Sequence, residues 1–249
     1  MASDGVARNQ TPHRKTAVLF DLGGTLVDYF GRQDFPGVLK ESIESARTAL
    51  EQAGHHGSTE DLLWKRVASE NFEAEDHRVR PLEDRLQRIF GLDSAGLDKG
   101  LLSGLCERFM RPIFRRGRLF DDALPVLDAL KSRGIATALV SNTTWGSPAG
   151  LWHAEIARRG LSPYLDAVVF CRDVGWRKPA AQIFEYALEK LNRKPAECLF
   201  VGDDPRWDVA GPHSLGMDAL LLERTSAHSS ADDSVITHLT ELLERLSPR

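Results

Sequence analysis

Polar residues stand where short apolar runs stop. Asp21 follows Ala17-Val18-Leu19-Phe20, Ser141 and Asn142 follow the run from Ile135, and Asp203 follows the run from Cys198. Asp204 is next to Asp203, Asp208 lies further on, and Lys178 sits in the stretch Gly-Trp-Arg-Lys-Pro. Singly, such residues read as turn formers, helix caps or solvated charges. Gathered around one crevice, three carboxylates, a lysine and a serine would be costly without a ligand to balance them. Phosphoryl transfer is the chemistry that fits. An all-oxygen donor set suits Mg²⁺, which uses few protein carboxylates. Asp21 could act as a nucleophile and carry an aspartyl-phosphate. Lys178 and the Ser141 hydroxyl would hold the phosphoryl oxygens. The glycine turn after Asp21 lets backbone N–H groups, those of Leu22 and Gly23, approach the same oxygens.

The elements that must position these residues alternate. Apolar runs at 17–20, 135–141, 166–171, 198–203 and 218–222 predict buried parallel strands. Amphipathic segments at 123–133, 148–159, 179–192 and 235–246 predict helices between and after them. This is the pattern of an α/β fold, a doubly wound parallel sheet with helices on both faces, which binds ligands at the carboxyl ends of its strands. Residues 32–117 break the alternation. They contain no convincing strand and predict four helices, at 36–53, 59–77 (with Ser58 as its N-cap), 81–90 and 97–116. The expected organisation is a flexible tail at 1–15, a core at 16–31 and 118–249, and an inserted helical domain at 32–117.

Bulk properties exclude several classes. The 249 residues carry a formal net charge of −4, which predicts no nucleic-acid partner; the basic run at 108–118 reads as a solvated helix end. No window is apolar enough to span a membrane, and the polar start lacks a signal-peptide apolar region. Cys106, Cys171 and Cys198 form no CxxC pair and read as reduced, buried thiols. A cytoplasmic protein is expected. The pair His55-His56 reads as a loop, and Trp145 as a residue of the crevice wall or of the packing.

Four ordered motifs, DLGGTL, LVSN, GWRKP and VGDDPRWD, together resemble those of the haloacid dehalogenase-like hydrolase superfamily. The resemblance implies a Rossmann-like core with a helical cap that sets substrate choice, hinged near Phe30–Gly31 and Gly117. It implies Asp21 as nucleophile and Mg²⁺ ligand, the Gly23 backbone carbonyl and Asp203 as further ligands, and Asp208 as a support. Ser141, Asn142 (by its backbone N–H) and Lys178 would bind phosphate. Asp204 competes with Asp203 for the metal, and position favours Asp203. The sequence departs from the family at Gly23. Family phosphatases carry there an aspartate that protonates the leaving group and later deprotonates water. The expected function is a Mg²⁺-dependent phosphatase of a small phosphorylated metabolite, with Asp28, Asp204 or a cap residue as candidates to replace the missing acid. Alternatives are a non-catalytic phospho-ligand or protein-binding scaffold and, less favoured, a 2-haloacid dehalogenase. Dehalogenases of the family carry an aromatic residue at the place of Gly23 and no carboxylate at that of Asp203, but Trp207-Asp208 resembles their Trp-Asp pair.

Overall fold

The computed structural model describes residues 15–55, 58–92, 99–224 and 232–246. In chain order it contains β1 (Ala17–Phe20), β2 (Val27–Asp28), α1 (Phe35–Gln52), α2 (Glu60–Glu70), α3 (Leu82–Phe90) and α4 (Lys99–Arg116). There follow β3 (Arg118–Leu119), α5 (Ala123–Ser132), β4 (Ala136–Ser141), α6 (Ala149–Arg158), β5 (Ala167–Phe170), α7 (Cys171–Val174) and α8 (Ala181–Leu191). The chain ends with β6 (Cys198–Gly202), α9 (Gly211–His213), β7 (Asp218–Leu222), β8 (Val235–Ile236) and α10 (Thr240–Arg245). The tail expected at 1–15 lies, apart from Lys15, outside the described residues, as does His56.

Six strands form one parallel sheet in the order β5-β4-β1-β6-β7-β8. β1 lies in its interior, with Phe20 in register with Leu139 on one side and Val201 on the other. Strands buried on both faces need apolar cover on both, and the alternation of side chains divides the core accordingly. Val18 and Phe20 pack with Leu127 and Leu130 of α5 and Trp152 of α6. Ala17 and Leu19 pack with Ile183, Phe184 and Ala187 of α8. The chain runs from β1 to β4 and β5, then crosses to β6 on the far side of β1. That reversal opens a crevice at the carboxyl ends of β1, β4 and β6.

Helices α1 to α4 lie between β2 and β3, which pair with each other as an antiparallel ladder that has no counterpart in the predicted elements. Ser45 of α1 donates to the Arg108 carbonyl at 2.9 Å, and Glu41 pairs with Arg115 and Arg116 of the basic run at 2.8 and 2.5 Å. These helices touch the sheet layer through aromatic contacts: Phe109 stacks on Trp145 at 5.5 Å, and Phe114 meets Trp152 edge-on at 5.0 Å.

Two predicted helices differ most from the structure. The helix expected at 59–77 stops at Glu70. The carbonyls of Glu70 and Phe72 accept hydrogen bonds from Arg80 and Arg85, so guanidinium groups replace the next helical turn. Thr59, not Ser58, occupies its N-cap, and the Ser58 hydroxyl accepts from Arg66 at 2.9 Å. The last predicted helix, 235–246, begins as strand β8, because Val235 and Ile236 pair with Leu221 and Leu222 and extend the sheet; only Thr240–Arg245 is helical.

Candidate active site

Asp21 extends the ladder of β1 by one residue: its N–H donates to the Val201 carbonyl at 3.0 Å. The following turn is closed by Leu22, whose carbonyl accepts from Leu26 and Val27, both at 2.9 Å. Among the described residues no backbone hydrogen bond uses the N–H of Leu22, or either the N–H or the carbonyl of Gly23. The two glycines of the turn differ. Gly24 has φ +80°, and a Cβ there would lie 2.6 Å from Asp203 Cγ and closer still to Oδ2. Only glycine lets the turn pass so near that carboxylate. At Gly23 a Cβ would meet nothing nearer than Tyr29 Cδ2, at 3.7 Å.

The Asp21 carboxylate is buried and takes two hydrogen bonds on one oxygen. Ser141 Oγ donates to Oδ1 at 2.9 Å, and Lys178 Nζ donates to the same atom at 2.6 Å. Oδ2 takes none among the described residues. Lys178 also reaches Asp208 Oδ1 at 2.7 Å, and its side chain is only 1% exposed. Burial alone would lower its pKa, but the Asp208 and Asp21 carboxylates outweigh that and hold it above the usual lysine value. Asn142 fixes the lysine: its Oδ1 accepts from the Lys178 N–H at 2.8 Å and its Nδ2 donates to the Lys178 carbonyl at 3.3 Å.

One carboxylate oxygen from each of Asp21, Asp203 and Asp208 lies within 4.8 Å of the others. Asp203 has no hydrogen bond or ion pair among the described residues, and its carboxyl is pushed up to about 7 by burial and by the charges of Asp21 and Asp208. Asp208 is pushed up to about 6 by burial and Asp21, against the opposing charge of Lys178. It is seated by a π-helical turn, Pro205–Ala210, and by Gly202, where any Cβ would overlap the Asp208 side chain. Asp204 faces another way. Its Oδ1 caps that turn, accepting from Arg206 and Trp207 N–H groups at 2.9 and 3.0 Å, and Oδ2 pairs with Arg32. Three carboxylates and one ammonium leave two negative charges unmatched, the charge of one divalent cation. An all-oxygen cluster with an unpartnered Asp203 therefore fits a hard metal such as Mg²⁺.

The crevice over these groups encloses about 680 Å³ and is also lined by Asp28, Tyr29, Trp152 and Trp207. Trp145 packs against Phe109 and does not line this space, but it lines the adjoining cavity. Two contributions were not foreseen: the clasp of the Asn142 side chain on Lys178, and the Arg32–Asp204 pair at the crevice mouth. The signal for the first is only the adjacency of Asn142 to Ser141. The three cysteines are buried and free, and no helix among the described residues is long and apolar enough to cross a membrane.

Comparison with known proteins gives the family. A family model for haloacid dehalogenase-like hydrolase matches residues 15–216. The ribulose-1,5-bisphosphate 5-phosphatase of Halopiger xanaduensis is 25% identical over 87% of this chain and 90% of its own. The phosphoserine phosphatase of Thermus thermophilus is 32% identical over 70% of this chain and 67% of its own. The crystal structure of a HAD phosphatase from Thermococcus onnurineus superposes with a TM-score of 0.65 at 24% identity, covering 93% of this chain and 97% of that one, which shows a shared fold. The crevice with its ordered Asp, Ser, Lys and Asp-Asp segments, on a parallel α/β sheet, thus belongs to a hydrolytic enzyme, and the chain is a member of the haloacid dehalogenase-like hydrolase family.

Proposed function

We propose that this enzyme is a Mg²⁺-dependent phosphatase of a small phosphorylated metabolite, with Asp21 as nucleophile. The observation that carries the reading is the buried Asp21 carboxylate, bonded on one oxygen by Lys178 and Ser141 and facing the unpartnered Asp203. The phosphatase names of the relatives support it.

Asp21 Oδ2 attacks phosphorus, and the bond from phosphorus to the leaving oxygen breaks. Water then attacks the phosphorus of the aspartyl-phosphate, releasing inorganic phosphate and restoring the carboxylate. Lys178 and Ser141 hold Oδ1 and so aim Oδ2, and Lys178 offsets the charge of two anions brought together. The N–H groups of Leu22 and Gly23 and the backbone N–H of Asn142 would meet phosphoryl oxygens. Asp21, the Gly23 carbonyl and Asp203 would hold Mg²⁺, with Asp208 supporting. When bound, the ion supplies the positive charge that brings a phosphoryl dianion to a carboxylate nucleophile. Residues 32–117 act as a cap over the crevice, with Arg32 as a latch on Asp204.

No carboxylate stands at position 23 to protonate the leaving oxygen. Tyr29 has its ring beside Gly23, but burial and then the charge of Glu155 push its phenol up, which makes it a weak acid. Asp204 is engaged by Arg32 and the turn. Asp28 lines the crevice, its carboxylate has no hydrogen bond or ion pair among the described residues, and it is the remaining candidate for that role. Good leaving groups are therefore the preferred substrates. The dehalogenase reading is disfavoured by the same two positions: Gly23 is not aromatic, and Asp203 joins the acidic cluster. The test is phosphate release from p-nitrophenyl phosphate and a panel of metabolite phosphates, with and without Mg²⁺. Asp21→Asn should abolish it. Absence of phosphate from every compound would remove the phosphatase reading, and metal-independent halide release from 2-haloacids would replace it.

A further inference from the structure

The crevice continues as a second cavity of about 790 Å³ that shares Phe30, Asn142 and Trp207 with the first and reaches residues 71–73. Arg177, the neighbour of Lys178, lies on its floor. The residue is only 8% exposed, yet its guanidinium is poorly partnered. Nη1 lies 3.5 Å from the Thr143 carbonyl and 3.6 Å from Glu73 Oε1. Among the described residues Nε and Nη2 donate to nothing. Glu73 does not balance it, because the same carboxylate accepts from the fully buried Arg85 Nη2 at 2.8 Å. Arg85, by contrast, is well satisfied, with carbonyls of Glu70, Arg80 and Phe72 around its other nitrogens. Two guanidinium groups thus share one carboxylate, and the one with unused N–H donors faces the cavity. Arg206 stands at the rim, exposed, its side chain without a hydrogen bond or ion pair among the described residues. Trp145 and Trp207 supply apolar wall.

A guanidinium this deeply buried is stable when an acceptor fills its fork, and planar bidentate anions fill it best. We propose that the second cavity is the subsite for a second anionic group of the substrate, a carboxylate or a second phosphate, with Arg177 as the specificity-determining residue. Arg206 draws that group in from the rim. The inference rests on the reading that a phosphoryl group is hydrolysed at Asp21. The substrate would then be a phosphorylated metabolite with one anion at each end.

Matched pairs test it. 3-Phosphoglycerate is compared with glycerol 3-phosphate for a distal carboxylate, and fructose 1,6-bisphosphate with fructose 6-phosphate for a distal phosphate. In the unaltered enzyme kcat/KM for the doubly anionic member of at least one pair should exceed its partner's by roughly 10- to 100-fold, the scale of a hydrogen-bonded charge. The pair that shows the preference identifies the group. Arg177→Gln should bring that ratio near one and Arg177→Lys should restore part of it. Because the ratio is taken within one preparation, loss of folded protein cancels. The same pairs titrated calorimetrically into Asp21→Asn give the preference without turnover. Phosphate release with no preference in either pair, or a preference that survives Arg177→Gln, overturns the subsite. A binding preference without phosphate release from any compound overturns the phosphatase reading and leaves the subsite standing.

Discussion

Gly23→Asp restores a carboxylate to the position from which the family's phosphatases protonate the leaving group. The backbone there has no positive φ, and the new Cβ would meet only Tyr29 Cδ2 at 3.7 Å, so the backbone and the Cβ accept the change without strain. Replacing a glycine whose conformation suits other residues gains about 0.4–1 kcal/mol by restricting the unfolded chain. Against this stands charge. A further carboxylate about 4 Å from an existing one costs up to about 4 kcal/mol at an effective dielectric of about 20. The metal-free variant should therefore be less stable by about 3 kcal/mol, and excess Mg²⁺ should return most of that. The assay compares kcat/KM for an alkyl phosphate, whose alkoxide needs a proton, with that for an aryl phosphate, whose phenolate departs without one. A positioned general acid contributes about 10²- to 10⁴-fold. The alkyl-to-aryl ratio should thus rise by at least 10-fold, toward the lower end of that range. A folded, Mg²⁺-stabilised variant whose ratio is unchanged or lower would refute the reasoning and show a site built around the absence of this acid.

Three further outcomes follow from the same geometry. Gly24→Ala meets both the positive φ and the Asp203 carboxylate, so it should lose about 2–4 kcal/mol in chemical denaturation and most Mg²⁺-dependent activity, whereas Gly23→Ala loses neither. Lys178→Met leaves Asp21 and Asp208 buried without their cation and should lose about 3–5 kcal/mol at pH 8; the loss should shrink toward pH 5.5, where the Asp208 carboxyl protonates. In the metal-free enzyme Asp203, at about 7, and Asp208, at about 6, hold protons that the unfolded chain releases near 4. Stability should accordingly be fully gained below about pH 4 from these two groups and fall as pH rises to about 7, a slope that saturating Mg²⁺ should flatten in thermal melts.

The parts of the fold that were legible are those whose signal is local. Strands β1, β4 and β6 are continuous apolar runs, and a charged or hydroxyl residue ending such a run is visible without knowing what lies opposite. Asp21, Ser141 and Asp203 could be placed at strand ends on that basis, and the order β5-β4-β1-β6 brings those ends together. Where long-range partners decide, the reading failed. Val235, Ile236, Leu239 and Leu242 have helical spacing, yet β7 offered an open edge and claimed the first two as strand. Residues 71–77 carry no helix breaker, and it is Arg80 and Arg85, beyond that stretch, that capture the carbonyls of Glu70 and Phe72. The unpartnered state of Arg177 was likewise invisible. It depends on Glu73 being shared with Arg85, a fact about three distant positions rather than about the stretch Gly-Trp-Arg-Lys-Pro.

The Asn142 clasp has a consequence for how the gene can vary. One side-chain amide bonds both the N–H and the carbonyl of Lys178, across 36 positions of chain. The lysine's place is set by that amide and not by the length of the intervening stretch through α6, β5 and α7. Insertions on the exposed side of that excursion, where loop closure changes little with length, should pass without touching the chemistry. A single change of Asn142 to a residue that cannot both donate and accept would unseat the lysine while leaving every other element in place. Lineages sharing this arrangement are then free to lengthen or shorten the excursion, and bound at its two ends.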